Sequence, residues 1–421
     1  MNKKIIASFL LAAMTVSTYA QSGTNSAYSQ YGFGVLADHS LSANRGMNGV
    51  GLAMRQGNRA NVLNPASYSA VDSITMIFDM GLAGQITNIK EGKNSVNANN
   101  ASFEYAVGSF RLLKNVGFTF GLIPFSNVGY NYAHEQYLDE TNGTVTTTMK
   151  GSGGLRQVFI GAGWRFLKPL SVGFNLSYLW GSIDRTVTSS STVDMYNLQK
   201  TYSASVRNYK LDFGLQWQQR LSKTDDVTLG VTIGLGHKLG ADPTLVVANT
   251  STSQSTTYTI KNGLKLPMTY AAGVAWQHRH SLLIEADVKM QKWGSTEFPV
   301  YENNDYQLKS GILKDRYEVR AGAEWTPNRM SRNLLNRVNY RIGAGYATPY
   351  YKINGQNGPK ELSVSAGFGI PIQNGWNGRS MLSITGQWVQ TSAKGLLKEN
   401  AFRLTIGMTF NERWFQKWKV Q

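Results

Sequence analysis

The sequence predicts an all-β protein: a closed antiparallel 14-stranded transmembrane β-barrel with an N-terminal luminal hatch. Three observations lead there. Apolar and polar residues alternate with a period of two from Ser73 onward. The connections between these segments are mostly long and polar at one end and short at the other. No stretch past the N-terminus reaches the roughly 18 apolar residues of a membrane helix. Composition narrows the field further. The 421 residues include no cysteine, which excludes disulfides, thiolate metal sites, Cys nucleophiles and a lipoprotein anchor. Five histidines offer little for a zinc site. Charged residues make up only 16%, so the net +17 does not describe a disordered polyelectrolyte.

Residues 1–20 read as a signal peptide: Lys3 and Lys4, an apolar run from Ile5 to Val16, and Thr18-Tyr19-Ala20 before a cleavage point at Gln21. Residues 21–72 do not alternate. They are rich in Gly, Asn, Ser and Ala and cannot build a core of their own. They are expected either to trail as a periplasmic arm or to plug the lumen, which fourteen strands leave wider than side chains alone can fill.

Residues 73–410 form the expected barrel, with strands at 73–87, 101–112, 116–133, 155–166, 170–187, 203–220, 226–239, 264–278, 281–293, 316–325, 338–348, 361–371, 379–390 and 400–410. In 209–217, Tyr209, Leu211, Phe213, Leu215 and Trp217 share one face, opposite Lys210, Asp212, Gly214 and Gln216. Aromatic residues close such faces at both ends, as in Tyr209/Trp217, Tyr270/Trp276 and Tyr317/Trp325, the girdle of a membrane barrel. Long connections are expected at 88–100, 134–154, 188–202, 240–263, 294–315 and 349–360. Residues 411–421 make a basic, aromatic tail suited to the periplasmic membrane interface, or to docking a partner. Pro124 lies inside the third strand, where it cannot donate to the ladder and should create a bulge or gap.

The stretch from Ser40 to Ala53, with Arg45-Gly46, Gly49 and Gly51, followed by Asn64-Pro65-Ala66, resembles the N-terminal hatch of FadL-type outer-membrane transport proteins. Gly121 to Phe125, Glu285-Ala286-Asp287 with Trp293, Arg320 to Pro327 and Tyr340 to Gly343 resemble further segments of that family, so the likeness spans most of the mature chain. The resemblance implies transport of a hydrophobic small molecule, such as a long-chain fatty acid, through a plugged barrel. The ligand would leave sideways at a strand-three kink formed by Gly121, Pro124 and Phe125. The apolar candidates for contact with ligand are Tyr28, Tyr31 and Phe33, beside Val35 and Leu36. Arg45, Arg320 and Arg341 are the cationic candidates for its head group, among lumen charges that also include Glu285, Asp287, Lys289, Glu324 and Arg403. Inward charges of this kind also pair with each other to fill a lumen.

No catalytic residues, metal or cofactor are expected. His278-x-His280 sits at a turn and lacks a third ligand. The Gly-x-Gly pairs lie within strands and are not phosphate loops. The expected setting is the outer membrane of a Gram-negative cell, as a monomer among lipids and lipopolysaccharide, with no nucleic acid. The alternatives are a secretion- or assembly-associated barrel of the same fold that binds protein partners, a general porin and a barrel lipid deacylase.

Overall fold

A computed structural model describes residues 23–138, 143–192, 197–249, 251–279, 281–372 and 380–413. Fourteen antiparallel strands close into one ring. They are β1 (Thr75–Glu91), β2 (Asn94–Leu113), β3 (Val116–Leu138), β4 (Gly143–Arg165), β5 (Leu170–Ser191), β6 (Leu198–Arg220) and β7 (Asp225–Gly234). Then follow β8 (Thr269–His278), β9 (Leu282–Gln291), β10 (Arg316–Trp325), β11 (Asn339–Ala347), β12 (Lys360–Ile372), β13 (Ser380–Ser392) and β14 (Lys398–Arg413). Each pairs with the next, and β14 returns to β1 from Lys90↔Lys398 to Thr75↔Arg413. Closure leaves no sheet edge for lipid to meet. The expected signal peptide and the tail from Trp414 lie outside the described residues; Asn411–Arg413 end β14. No helix among the described residues is long and apolar enough to cross a membrane.

The barrel is inside-out relative to a soluble core. On β6, Tyr209, Phe213 and Trp217 are exposed while Gln216 is buried. On β14, Phe402, Leu404 and Ile406 face out while Thr405 and Thr409 are buried. The outward set forms an apolar band around the ring, and a charge at its midplane would cost about 2–4 kcal/mol. Rings cluster at its periplasmic margin, where Trp325 meets Tyr340 at 5.8 Å and Tyr340 meets Phe368 at 5.8 Å. At the opposite margin Tyr178 stacks on Trp180 at 6.0 Å.

The wall is taller on one side than the alternation predicts. Strands β3, β4 and β6 each have 23 residues, whereas β7 to β10 have 10. At roughly 3.3 Å per residue the long strands run about 75 Å, well beyond a membrane crossing even when tilted. The expected long loops at 88–100, 134–154 and 188–202 are therefore largely strand. These segments lose the apolar alternation because neither face meets lipid there. Their Thr, Ser and Asn residues still pair in the ladder, as in Thr147↔Ser189 and Asn88↔Asn97. Other long connections carry hairpins of their own. Thr244–Asn249 pairs with Gln254–Thr259 and also joins β6, and Phe298–Glu302 pairs with Asp305–Lys309. The expected strands 226–239 and 264–278 are trimmed because Leu239, Leu264 and Leu266 turn inward and are buried.

Candidate functional site

Residues 23–72 occupy the lumen. They hold a short helix, Ser42–Arg45, and a 3-10 turn, Pro65–Ala70, capped by Asn64, whose Oδ1 accepts the Ala66 N–H at 3.1 Å. The wall is hollowed to admit them. Added Cβ atoms would collide with the Pro65 backbone at Gly163 and Gly173, with the Leu52 carbonyl at Gly230, and with Met47 at Gly322 and Gly343. Gly163 and Gly343, each from a Gly-x-Gly pair, thus serve close backbone approach, whereas Gly161, Gly345 and Gly369 make room for side chains.

Wall carboxylates fasten this plug. Glu285 Oε1 on β9 accepts the N–H groups of Ala53 at 2.7 Å and Met54 at 3.1 Å. Two positions along, Asp287 Oδ2 accepts those of Gly51 at 2.7 Å and Leu52 at 3.1 Å. Four consecutive plug amides are thereby satisfied by two buried carboxyl groups. Glu324 on β10 receives both terminal nitrogens of Arg59, at 2.6 and 2.8 Å, and Nε of Arg341 at 2.7 Å. Arg45 reaches Glu104 on β2 at 2.6 Å.

Above the plug the mouth is sealed by an apolar cluster. It joins Tyr28 and Phe33 of the N-terminal segment to Leu239, Leu264 and Leu266, to Trp293, and to Tyr350 and Tyr351. Trp293 is 0% exposed and its ring lies 5.3 Å from Phe33. Tyr31 stacks on Tyr351 at 5.1 Å. The Tyr350 hydroxyl accepts the Phe33 N–H at 3.1 Å and donates to the Gly34 carbonyl. Burial raises the Tyr350 phenol well above its ordinary pKa, so it stays a neutral donor.

Between plug and cap lies a cavity of about 220 Å³ ringed by charge. Arg316 meets Glu318 at 2.8 Å and Glu361 at 3.3 Å. Arg320 meets Asp38 at 3.0 Å and Glu318 at 3.3 Å. Arg403 donates to Gln85 Oε1 at 2.9 and 2.7 Å, and Glu399 accepts from Ser26 Oγ at 2.7 Å.

The β2–β3 ladder runs only from Leu113↔Val116 to Ala106↔Leu122. Past that row β3 pairs with β4 as far as Leu138↔Gly143, with a register shift between Pro124 and Ser126. A seam therefore opens between β2 and β3. The N-terminal segment stitches both of its edges. Val35 and Leu36 pair with Asn127 and Ser126, Ala37 N–H donates to the Phe125 carbonyl at 2.9 Å, and Asn25 donates to the Asn99 carbonyl at 3.0 Å. Gly153 and Gly154 on β4 and Gly181 on β5, with φ of 108°, 133° and 144°, follow the bend onto the neighbouring strands.

These placements redistribute the residues picked out in the sequence. Tyr28, Tyr31 and Phe33 come together, but as part of the seal. Arg45 and Arg341 are buried in ion pairs and present no free guanidinium to a head group. Arg320 lines the cavity but is shared by two carboxylates. Gly46 packs on the Arg341 side chain, Gly49 turns with φ 82°, and Gly51 donates to Asp287. Asn64 Nδ2 also reaches the Leu52 carbonyl at 2.8 Å, and Pro65 and Ala66 are buried against β4 and β5. Pro124 and Phe125 lie just past the last β2–β3 row, at the start of the seam, while Gly121 still pairs with Val107 inside the ladder. His278 Nδ1 donates to Asp225 Oδ1 at 2.8 Å, and His280 is outside the described residues. Sequence reasoning did not single out Glu104, although it is the one acidic residue of β2. Nor did it find Tyr350 and Tyr351, whose partners lie more than three hundred residues away.

A family model described as BamG matches residues 1–421. Among solved structures, the chain is similar to the toluene transporter TodX of P. putida, at 16% identity over 89% of this chain and 98% of that one, with a TM-score of 0.60. It is similar to the CymD monoaromatic hydrocarbon channel, at 14% identity over 91% and 100%, with a TM-score of 0.57. It is also similar to a FadL homologue of Pseudomonas aeruginosa, at 11% identity over 88% and 97%, with a TM-score of 0.58. At these identities the likeness concerns the fold, that of FadL-like outer-membrane barrels. No curated protein matches the chain.

Proposed function

The chain belongs to the BamG family, and from that membership we propose that it serves the outer-membrane β-barrel assembly machinery (BAM) as a barrel-shaped, protein-binding subunit rather than as a solute channel. In this reading residues 1–20 direct it across the inner membrane, and the apolar band seats it in the outer one. It carries out no catalytic step and needs no cofactor. The observation that carries the reading beyond family membership is the sealed mouth. The N-terminal aromatics best placed to meet a hydrophobic ligand, Tyr28 and Phe33, are built into an apolar core with Trp293 and Tyr350. Behind that core the cavity carries the Arg316–Glu318–Glu361 and Arg320–Asp38 ion pairs together with Lys289, Arg403 and Glu399, more charge than the few polar groups expected in a site for an acyl chain.

The test is purification of the tagged chain, at native level and in mild detergent, from outer membranes of its own host. Stoichiometric recovery of the central assembly barrel is expected, together with fewer heat-modifiable folded barrels after depletion. A chain that purifies alone, and whose depletion leaves other barrels folded, would sink the proposal. The second reading, a channel for hydrophobic solutes, draws on the seam between β2 and β3. Depletion that lowers uptake of a hydrophobic solute without touching barrel assembly would favour it.

A further inference from the structure

Five residues beyond Trp180 of the outer aromatic margin, β5 carries Arg185 into the extracellular cap, opposite Tyr202 on β6. Its terminal nitrogen donates to the Gly32 carbonyl at 2.5 Å. Its Nε is buried with no hydrogen-bond partner. Among the described residues no carboxylate lies within ion-pair distance of it. Asp184 points to the other face of the strand and takes the Ser203 hydroxyl at 2.7 Å. A largely covered guanidinium without a counter-charge is costly. The three fully buried arginines of the plug–wall contact, Arg45, Arg59 and Arg341, each have a carboxylate, and the partly buried Arg55 has the Gln216 and Ser69 side chains and the Ala66 carbonyl instead.

Beside Arg185 is a cavity of about 50 Å³, separate from the charged lumen. Phe33, Leu264, Phe298, Tyr202 and Tyr306 line it with Arg185, and no acidic side chain does. The Phe298–Glu302 and Asp305–Lys309 hairpin forms its roof. At roughly 10–15 Å³ for each water-sized position, it holds about three to five such positions. That is room for a few heavy atoms and too little for a long acyl chain. One planar cation in a chiefly apolar pocket suits a singly charged, planar anion with a small apolar body.

We propose that this pocket binds a short-chain monocarboxylate, of about propionate or butyrate size, whose carboxylate faces Arg185. The acid supplies the missing counter-charge and fastens the hairpin roof to the wall. The site borders the N-terminal segment at Gly32 and Phe33 but shares no lining residue with the charged lumen cavity, and it does not depend on the assembly reading.

The test uses the full chain in detergent micelles, titrated calorimetrically with butyrate, butyramide, octanoate, chloride and inorganic phosphate. Butyrate is expected to bind at least tenfold more tightly than butyramide or octanoate. Amide exchange across residues 298–309 should slow when it binds. R185Q should abolish the preference for butyrate over butyramide, and R185K should keep part of it. L264F, which fills the cavity and leaves Arg185 in place, should lose butyrate binding, and it decides the matter if R185Q does not reach the heat-modifiable folded form. Equal binding of acid and amide, unchanged butyrate binding in R185Q or L264F, or a site that takes chloride or phosphate and ignores butyrate would overturn the proposal.

Discussion

At the scale of single residues, the plug is held by charges that alternation alone places on the lumen side but cannot pair. Glu324 shows the difference. Parity puts it inward on β10, yet only the fold brings Arg59 and Arg341 to it from 265 and 17 residues away. E324Q would leave two buried guanidinium groups short of a full counter-charge, at a cost of about 3–5 kcal/mol. The expected result is a plug that becomes sensitive to protease while the barrel keeps its heat-modifiable mobility on gels. A plug as resistant as wild type would show that the Glu285 and Asp287 bonds to residues 51–54 suffice without it. The wall glycines follow the same logic. Their two-residue spacing is visible in the sequence, but what presses against them is not.

At the scale of elements, the bend in β3 belongs to three strands. Pro124 marks it in the sequence because proline interrupts a ladder. The register shift, however, falls beside Gly154 and Gly153, opposite Asn127 and Val128, and one strand further on beside Gly181, opposite Leu155, all with φ angles that suit glycine alone. A Cβ on Gly154 would also strike the Ser126 carbonyl. G154V is therefore expected to destabilise the barrel by more than about 2 kcal/mol, by strain at such a φ together with the collision. P124A should change stability by less than about 1 kcal/mol, since alanine adopts the same extended backbone. Urea unfolding followed by tryptophan fluorescence compares the two, and equal losses would return the bend to the proline. Strand ends were the least legible feature of the chain. The alternation that identifies a strand depends on one face meeting lipid, so the signal fades where β3 to β6 rise above the membrane although the hydrogen bonds continue.

At the scale of the whole molecule, the barrel is shut twice, by the plug and by the cap. Tyr28, Tyr31 and Phe33 contribute to both, because the N-terminal segment starts beside the cap and then descends through the lumen. Deleting residues 23–72 should therefore open mouth and lumen together. A steady, porin-like conductance is expected in planar bilayers, against none for the intact chain. If conductance stays at zero while the barrel remains folded, the loops around Trp293 and Tyr350 close the mouth without help.

The sequence by itself determined the class of fold, the number of strands and which face of each strand meets lipid, because these follow from a local period of two and from the aromatic residues that end each face. It also marked residues 21–72 as a segment unable to fold alone. Only the tertiary structure decided that Arg45 and Arg341 are spent on carboxylates, that the N-terminal aromatics seal the mouth, and that Arg185 is left without a partner. Each of those outcomes depends on groups brought together from distant parts of the chain by ring closure, and a local pattern holds no record of which inward-facing residues will meet.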